Sequence, residues 1–417
     1  MKVLYEYQKT AVKRVRSTWA AGARSIVLVA PTGAGKTAMG VHLANASRVL
    51  WVAHRRELIN QAHRELVGHV GSEQAVGKIM SGETPRPGAR IQVASVDTIR
   101  GAHDRIDFKP DLVVLDECHH FMADTYRLLV AAHPKAPLLG LTATPQRSDG
   151  RALGDIFQEM VVAAHYSQLL KEGRITPVTV VRPDTYLGTD LPGDPIEAWF
   201  RYALERPTFA FFNRVTEAQD AARRWNRTNG HLAACIDANT GKTWRDSEIA
   251  NFTLGTRQIL TSVAALTEGV DVPRASVALS TRSFAFEGAM LQAFGRVLRA
   301  CPGKESALIL DLTGATHVHG LPLDDREYSL EGRAITKRGS NYNESEERQP
   351  YCQNIAETNM EVVSVGMKVP AHFSDLPERK IRPVVRLLST ERQKQILQKY
   401  GARALRTAVD TKARVAK

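Results

Sequence analysis

Short apolar runs alternate with longer segments of helical periodicity through the first half of the chain. The segment Arg56–Val67 is representative of the helical stretches. This alternation predicts a parallel sheet with helices on both faces, and ligands of such sheets bind at the carboxyl ends of the strands. The predicted strands are Ser25–Ala30, Val49–Ala53, Ile91–Ser95, Leu112–Asp116 and Leu138–Thr142.

The same alternation returns in the second half and predicts a second α/β domain of similar size. Between the two blocks lies a less regular stretch that contains Pro177, Pro183 and Pro192. Proline and glycine in such a stretch are typical of a linker. The predicted strands of the second block are Thr208–Phe212, Leu232–Ile236, Gln258–Ser262, Ser276–Ser280 and Ala307–Leu312.

These patterns predict an α/β protein with two tandem domains. We expect the first domain at residues 1–165, a linker at 166–205 and the second domain at 206–320. Residues 321–417 are expected to form a basic, partly flexible extension. Within that extension, Glu331–Pro350 is polar and Thr390–Tyr400 has the sequence of a helix start.

Chemistry first appears in the turn after the first predicted strand. There, Pro31-Thr32-Gly33-Ala34-Gly35-Lys36-Thr37 fits a phosphate-binding loop, with proline at its first position. Backbone N–H groups at a helix start bind phosphate, and glycines let the backbone approach closely. Lys36 is expected to reach the terminal phosphates and the Thr37 hydroxyl to bind Mg²⁺. The other candidate contacts of the phosphates are Thr32, Gly33, Ala34 and Gly35.

An acidic pair, Asp116 and Glu117, stands where a later predicted strand ends. At that position Asp116 can hold the metal ion, and Glu117 is a candidate base for the attacking water. A glycine-rich loop alone is a weak signal. Together with an acidic pair at a strand end, it makes a purely structural loop the weaker interpretation.

The order of these and further motifs resembles the superfamily 2 helicases and translocases, which have two RecA-like domains that close on ATP. The run Leu141-Thr142-Ala143-Thr144-Pro145 is similar to the threonine motif of that family. The resemblance implies that His119, Thr142 and Thr144 couple nucleotide state to domain closure. It also implies that Gln8 reads adenine, although Tyr5-Glu6 stands where the family has Arg-Pro.

Two motifs of the second domain extend the resemblance. Leu266–Pro273 is similar to the family's G-x-D motif, which implies nucleotide contacts from Gly269 and Asp271. Gln292–Arg299 is similar to its arginine-finger motif, Q-x-x-G-R-x-x-R. This implies that Gln292 contacts the nucleotide and that Arg296 and Arg299 are catalytic. Phosphoryl transfer spreads negative charge over the γ-phosphate, and an arginine finger contributes about 10³- to 10⁵-fold in rate. Because the two arginines are three residues apart, one helical face or turn presents both.

Nucleic-acid contacts are expected at other strand-to-helix turns. His54 and Arg55 lie in a segment that resembles the family's Ia motif, and Ser95 and Thr98 in one that resembles Ib. Thr240 occupies a comparable turn of the second domain. N–H groups and hydroxyls at such turns can meet phosphates. An ion pair at a helix start would explain the first pair of residues equally well, and capping the second.

Composition narrows the choice of partner. The net charge of +12 indicates a polyanion, most simply nucleic acid. The four cysteines are scattered, which fits the reducing cytoplasm of a bacterial or phage-infected cell. No apolar run reaches the roughly 18 residues of a membrane span, so no membrane partner is expected. The tryptophans are expected to pack in cores rather than to stack on bases; they are Trp19, Trp51, Trp199, Trp225 and Trp244.

Within the superfamily, Asp116-Glu117-Cys118-His119 and neighbouring motifs resemble RadD-type DNA repair helicases of bacteria and related phage helicases. The cysteine-rich zinc element of that group is missing, since only Cys352 follows the second domain. The resemblance implies an ATP- and Mg²⁺-dependent DNA helicase or translocase in repair, recombination or replication, monomeric when free and targeted by protein partners. Two alternatives are an RNA helicase and a motor subunit of a larger nucleic-acid-processing or defence complex.

Overall fold

The computed structural model describes most of the chain up to residue 331 and one later strand. The described ranges are 3–44, 48–84, 86–102, 108–121, 123–145, 153–203, 206–228, 232–267, 270–331 and 360–365. The predicted helix Thr390–Tyr400 and almost all of the predicted polar segment Glu331–Pro350 lie outside these ranges. Within them, no helix combines the length and the apolar character that crossing a membrane requires.

The chain divides into two compact units. Unit 1 comprises Met1–Leu169 and Asp325–Ser340, and unit 2 comprises Leu170–Asp324 and Asn341–Lys417. The first boundary falls close to the predicted end of the first domain. The return of residues 325–331 to unit 1 was not predicted: Asp325 accepts hydrogen bonds from Ser167, and Gly154 N–H donates to Leu330 O at 2.9 Å.

Unit 1 is built on a seven-stranded sheet in which every pairing is parallel. The strand order is β3-β4-β2-β5-β6-β1-β7. The strands are β1 Ser25–Val29, β2 Val49–Ala53, β3 Val76–Ile79, β4 Ile91–Ser95, β5 Leu112–Asp116, β6 Leu138–Thr142 and β7 Glu159–Val162. The helices are α1 Glu6–Ala20, α2 Lys36–Ala44, α3 Arg56–Val70, α4 Val96–Ala102, α5 Ala123–Ala132 and α6 Tyr166–Lys171, the last of which ends just inside unit 2.

The central strands of unit 1 confirm the predicted parallel sheet. β1, β2, β5 and β6 are buried at every position, because both faces of the sheet are covered. Their continuous apolar runs are the reason that the sequence pattern located them. The strands β3 and β7 were not predicted, since each has only four residues and contains partly exposed positions.

Unit 2 is built on a second seven-stranded sheet, of order β10-β11-β9-β12-β13-β8-β14. Its pairings are parallel except that of β14 with β8, which is antiparallel. The strands are β8 Val178–Pro183, β9 Thr208–Phe211, β10 Ala233–Cys235, β11 Ile259–Ser262, β12 Val277–Ser280, β13 Ala307–Asp311 and β14 Met360–Val365. The helices are α7 Pro195–Tyr202, α8 Val215–Thr228, α9 Lys242–Leu254, α10 Glu287–Gly295 and α11 Ala315–His319.

The prediction of a linker at residues 166–205 was wrong. This stretch contains α6, β8 and α7, and β8 lies inside the second sheet between β13 and β14. Pro177 and Pro183 suggested irregular structure, but they stand before and at the end of β8, where proline is tolerated. α7 is anchored by Trp199, which is fully buried and donates a hydrogen bond from Nε1 to Thr208 Oγ1 at 2.7 Å.

Candidate functional site

Three strand ends of unit 1 bring the predicted nucleotide residues to one edge of the sheet. The glycine-rich loop follows β1. Asp116 ends β5 and Glu117 comes directly after it, and Thr142 ends β6. β6 lies between β1 and β5, and all three strands are parallel, so their carboxyl ends lie side by side. Ala30 N–H donates to Thr142 O at 3.0 Å, which joins the start of the loop to the end of β6.

The loop has the backbone that its glycines predict. Gly33 and Gly35 have φ of 93° and 77°, values that residues other than glycine rarely adopt. α2 then begins at Lys36, so the loop ends at a helix start, where free N–H groups point outward. This geometry suits an anion such as phosphate.

Helix α1 packs directly on this loop. Gln8 Nε2 donates to Ala34 O at 2.8 Å, and Tyr7 Oη donates to the same oxygen at 3.0 Å. Gln8 Oε1 accepts from Tyr5 N–H at 2.9 Å. A Cβ added to Gly35 would lie 2.5 Å from Gln8 Nε2. Gln8, predicted to read adenine, therefore supports the loop in this structure, and Tyr7 is a supporting residue that the motif did not identify.

The acidic pair lies next to Lys36. Glu117 Oε1 is 3.5 Å from Lys36 Nζ, and both side chains are largely buried. Asp116 is buried, and Trp51 Nε1 donates to its Oδ2 at 3.4 Å. Burial and the neighbouring Glu117 raise the pKa of Asp116 to about 7, although Lys36 opposes the shift. Glu117 has φ of 50°, and such left-handed backbone at a non-glycine residue is concentrated at functional sites.

A buried network joins the acidic pair to the end of β6. His119 Nδ1 lies 2.9 Å from Thr142 Oγ1 and 3.6 Å from Glu117 Oε2. The Thr142 hydroxyl donates to Thr144 O at 2.7 Å and accepts from Thr144 N–H at 3.0 Å. The only hydrogen of the Thr142 hydroxyl is directed at Thr144 O. The hydrogen of the His119–Thr142 bond must therefore be carried by His119 Nδ1. The three residues predicted to couple nucleotide state to closure are thus in direct contact.

A row of tilted imidazole rings extends this network toward β2. The ring centroids of His119 and His120 are 4.0 Å apart, and those of His120 and His54 are 4.4 Å apart. His54 follows β2, the strand next to β5. This row of imidazole rings places His54, a predicted nucleic-acid residue, two rings from His119, which lies beside the acidic pair. Nothing in the sequence marks His120 for this contact, because only the fold brings His54 to it.

The other predicted nucleic-acid residues occupy the turns expected for them. Arg55 immediately precedes α3, Ser95 ends β4 and Thr98 lies in the first turn of α4; all three are partly buried. In unit 2, the Thr240 hydroxyl donates to Asp237 Oδ1 at 3.0 Å and accepts from Asp237 N–H at 2.8 Å. Thr240 therefore closes its own turn. Its contact with nucleic acid, like those of the other residues, stays a prediction.

The arginine motif of unit 2 is engaged with its own unit. Arg296 is buried at the end of α10, where Nε donates to Thr267 O at 2.6 Å and Nη1 to Val270 O at 3.1 Å. Arg299, beyond the helix, forms an ion pair with Asp271. Gln292 is buried in α10, and Gly269 lies outside the described residues. One helical face therefore does not present both arginines, and their role as arginine fingers stays a prediction.

Lys304 is a further residue of this region that the sequence did not single out. Its Nζ donates to Pro273 O at 3.1 Å, Ala275 O at 2.7 Å and Arg299 O at 2.8 Å. It thereby joins the segment after Asp271 to the backbone of Arg299. Nothing in the segment Cys301-Pro302-Gly303-Lys304 predicts these contacts. All three acceptors are backbone carbonyls, and two of them lie about thirty residues earlier in the chain.

A magnesium site at this edge would depend on the nucleotide. The described ranges contain no group of three or more His, Cys, Asp or Glu residues able to hold a metal ion. Mg²⁺ usually binds through one or two carboxylates, waters and the phosphates of a substrate. Thr37 and Asp116 fit such a partial site, because the buried carboxyl pair is only partly compensated by Lys36.

Two family profiles match the chain. Residues 1–147 match the family described as "Type III restriction enzyme, res subunit". Residues 196–301 match the family described as "Helicase conserved C-terminal domain". The two matches contain the loop and acidic pair of unit 1 and the arginine motif of unit 2, respectively.

Individual proteins are also similar to this chain. A 51.5 kDa protein of Lactococcus phage (isolate 7-9) is 26% identical over 71% of this chain and 67% of its own length. The DNA 3'-5' translocase XPB2 of Sulfurisphaera tokodaii is 23% identical over 78% of this chain and 84% of its own length. Two fungal relatives are longer, and this chain covers only 58% and 59% of their lengths.

The fold is also found among solved structures. A fragment assigned to the HsdR subunit of a type I restriction enzyme from Vibrio vulnificus YJ016 superposes with a TM-score of 0.61, at 22% identity, over 77% of this chain and 66% of that one. This likeness supports two tandem RecA-like domains. With both helicase profiles and the motif-bearing strand ends in place, the chain belongs to the superfamily 2 helicases, a family of ATP-hydrolysing enzymes.

Proposed function

We propose that this protein is a DNA translocase or helicase that binds and hydrolyses Mg²⁺-ATP at the strand ends of unit 1. The observation that carries the proposal is the arrangement of Lys36, Asp116 and Glu117 beside a glycine-rich loop, with Lys36 Nζ 3.5 Å from Glu117 Oε1. A purely structural loop does not need a buried, strained acidic residue next to its lysine.

In this proposal each residue has a separate task. The loop from Thr32 to Gly35 supplies N–H groups to the phosphates, and Lys36 supplies positive charge to the terminal ones. Thr37 and Asp116 would hold Mg²⁺, which supplies charge neutralisation at the phosphates when it is bound.

Glu117 orients the attacking water and accepts its proton. Its carboxylate is largely buried and lies 3.5 Å from Lys36 Nζ, at the edge where the terminal phosphates would bind. Arg296 and Arg299 stay the candidates for stabilising charge that develops on the γ-phosphate, and Gln8, Gly269, Asp271 and Gln292 the remaining candidate contacts of the nucleotide.

Three features favour DNA as the polymer. The net charge of +12 suits a polyanion, and the relative from Sulfurisphaera tokodaii is named as a DNA translocase. The motif Asp116-Glu117-Cys118-His119 differs from the Asp-Glu-Ala-Asp of RNA-remodelling proteins. We further propose action in DNA repair, recombination or replication, as in the RadD-type group, by a monomer that protein partners target. A bacterial or phage-infected cytoplasm suits a chain with phage and bacterial relatives.

One alternative function is suggested by the similarity of this chain to a subunit of restriction enzymes. The structural likeness to a restriction subunit favours a motor that serves a larger complex as the second candidate. An RNA helicase with the same ATP site is the third. Stimulation by RNA, or by no polymer until a protein partner is added, would distinguish these from a free DNA motor.

The test uses Lys36→Ala and Glu117→Gln in the full chain. We expect each substitution to abolish ATP hydrolysis, because one removes charge at the phosphates and the other the acceptor of the water proton. Nucleotide binding should survive in Glu117→Gln and weaken in Lys36→Ala. Thermal unfolding controls for the fold, and Lys9→Ala, at an exposed pair with Glu6, is the matched surface control. Wild-type turnover in both folded variants would refute the proposed site.

A further inference from the structure

One tryptophan contradicts the expectation that all five pack in cores. Trp51, Trp199 and Trp225 are fully buried. Trp244, in contrast, is 55% exposed in the first turn of α9. Tryptophan is enriched at binding interfaces, because the indole joins a large apolar ring to a polar N–H group, so this exposed ring is a candidate contact.

The helix does not depend on this indole for its packing. α9 is anchored at its other end by Phe252, which is fully buried and stacks on Phe209 with ring centroids 5.1 Å apart. Glu248 is also buried, and it accepts a hydrogen bond from Arg257 Nε at 2.6 Å. The exposed ring therefore stands on a helix that is already fixed, which is the condition for a rigid contact surface.

The turn before α9 adds polar and basic groups to this surface. It follows β10 at the carboxyl end of a parallel strand and contains Thr240, the predicted nucleic-acid residue of unit 2. Asn239 N–H and the Thr240 hydroxyl both donate to Asp237 Oδ1, so the negative charge of this carboxylate is partly satisfied inside the turn. Lys242, two residues before the indole, is exposed.

We infer that Trp244 is a stacking platform for an unpaired base of single-stranded nucleic acid, with Lys242 contacting the phosphate beside that base. The inference rests on the proposed function and adds a contact residue to it. Binding sites for single strands combine basic groups along the backbone with aromatic rings on which bases stack. Bases within a duplex are already stacked on each other, so an exposed indole face selects an unpaired strand.

The experiment measures binding of a fluorescent single-stranded oligonucleotide to the full chain by anisotropy. Stacking contributes about 1–3 kcal/mol per base, so Trp244→Ala should weaken the affinity roughly 5- to 150-fold. Trp244→Phe keeps an aromatic face and should retain most of the affinity. Leu254→Ala removes a side chain that is 79% exposed at the other end of the same helix and should leave binding unchanged.

An abasic oligonucleotide separates base stacking from phosphate contact. On it, wild-type protein and Trp244→Ala should bind equally weakly, since no base remains to stack. A second readout is tryptophan emission: quenching by the strand should disappear in Trp244→Phe although binding persists.

The outcomes distinguish the inference from the function on which it rests. Equal affinity of wild type and a folded Trp244→Ala for the normal strand overturns the inference and leaves the motor proposal standing. An undiminished difference on the abasic strand also overturns it, because the indole would then contact the backbone or a partner protein. A wild-type chain that binds no nucleic acid at all overturns both.

Discussion

Gly35→Ala tests most sharply how α1 supports the phosphate-binding loop. The substitution adds a Cβ at φ of 77°, where a left-handed backbone costs about 1–2 kcal/mol. That Cβ would also lie 2.5 Å from Gln8 Nε2 and force the amide away from Ala34 O. Ala34 O would keep its hydrogen bond from Tyr7 Oη, but the displaced Gln8 amide would lose its buried acceptor, which adds about 1–3 kcal/mol. The expected decrease in the free energy of unfolding is therefore about 2–5 kcal/mol.

Gly71→Ala is a matched control for the backbone part of this cost. Gly71 has φ of 75°, almost that of Gly35, but a Cβ there would meet nothing within 4 Å. It should cost only the roughly 1–2 kcal/mol of the left-handed backbone. The difference between the two variants measures the contact with Gln8.

A double-mutant cycle completes the test. In Gln8→Ala the clash partner is gone, so adding Gly35→Ala should cost about as much as Gly71→Ala does. The assay is urea unfolding of the full chain, with the unit 1 transition assigned by hydrogen exchange of peptides from α1 and α2. ATP affinity is measured in parallel and should fall with stability in Gly35→Ala. Equal costs for the two glycine substitutions, or strict additivity in the cycle, would refute the proposed support of the loop by Gln8.

Three further predictions concern the acidic pair, the buried lysine and the row of imidazole rings. The folded-state pKa of Asp116, about 7, exceeds the roughly 3.9 of an unfolded chain, so Mg²⁺-free protein should lose stability as pH rises through 7. Urea unfolding in the presence of a chelator should show that the free energy of unfolding falls by about 1–1.5 kcal/mol between pH 6 and 8, and that this decrease is missing in Asp116→Asn. The same dependence of the unfolding free energy on pH in both proteins would contradict this. Lys304→Met leaves three carbonyls without their donor and should cost about 2–4 kcal/mol, seen as a lower melting temperature in thermal unfolding, whereas an unchanged melting temperature would argue against the three bonds. His120→Ala removes ring contacts worth about 0.5–1.5 kcal/mol each and should lower polymer-stimulated ATP hydrolysis by roughly 2- to 10-fold while sparing the basal rate. Equal loss of both rates would show that the imidazole rings do not couple polymer binding to hydrolysis.

Sequence patterns located the centre of each sheet because buried parallel strands have continuous apolar runs. β1 and β5, for example, are buried at all five positions. The edge strands of the first sheet and the strand β8 in the predicted linker were missed for a physical reason. β3 and β7 have only four residues each and contain partly exposed positions, and β8 lies among prolines. Long-range pairing, such as that of β8 with β13, decides the state of such segments, and local sequence does not record it.

The candidate site divides in the same way. Candidate residues such as Lys36 and Glu117 could be predicted from a fixed spacing on a loop or strand end, and the fold brings these two side chains within 3.5 Å of each other. Contacts made across the fold were not: Tyr7 on the loop carbonyl, His54 on His120, and Lys304 on three backbone oxygens. A backbone acceptor has no sequence signature, so only the folded chain shows these partners.

In the proposed function, ATP is hydrolysed at this edge of unit 1 in response to DNA. The most direct test is steady-state hydrolysis with no polymer, single-stranded DNA, duplex DNA, forked DNA and RNA, each beside Lys36→Ala. We expect strong stimulation by at least one form of DNA, little by RNA, and no turnover in Lys36→Ala. Equal turnover with and without every polymer, or turnover that survives Lys36→Ala, would contradict it.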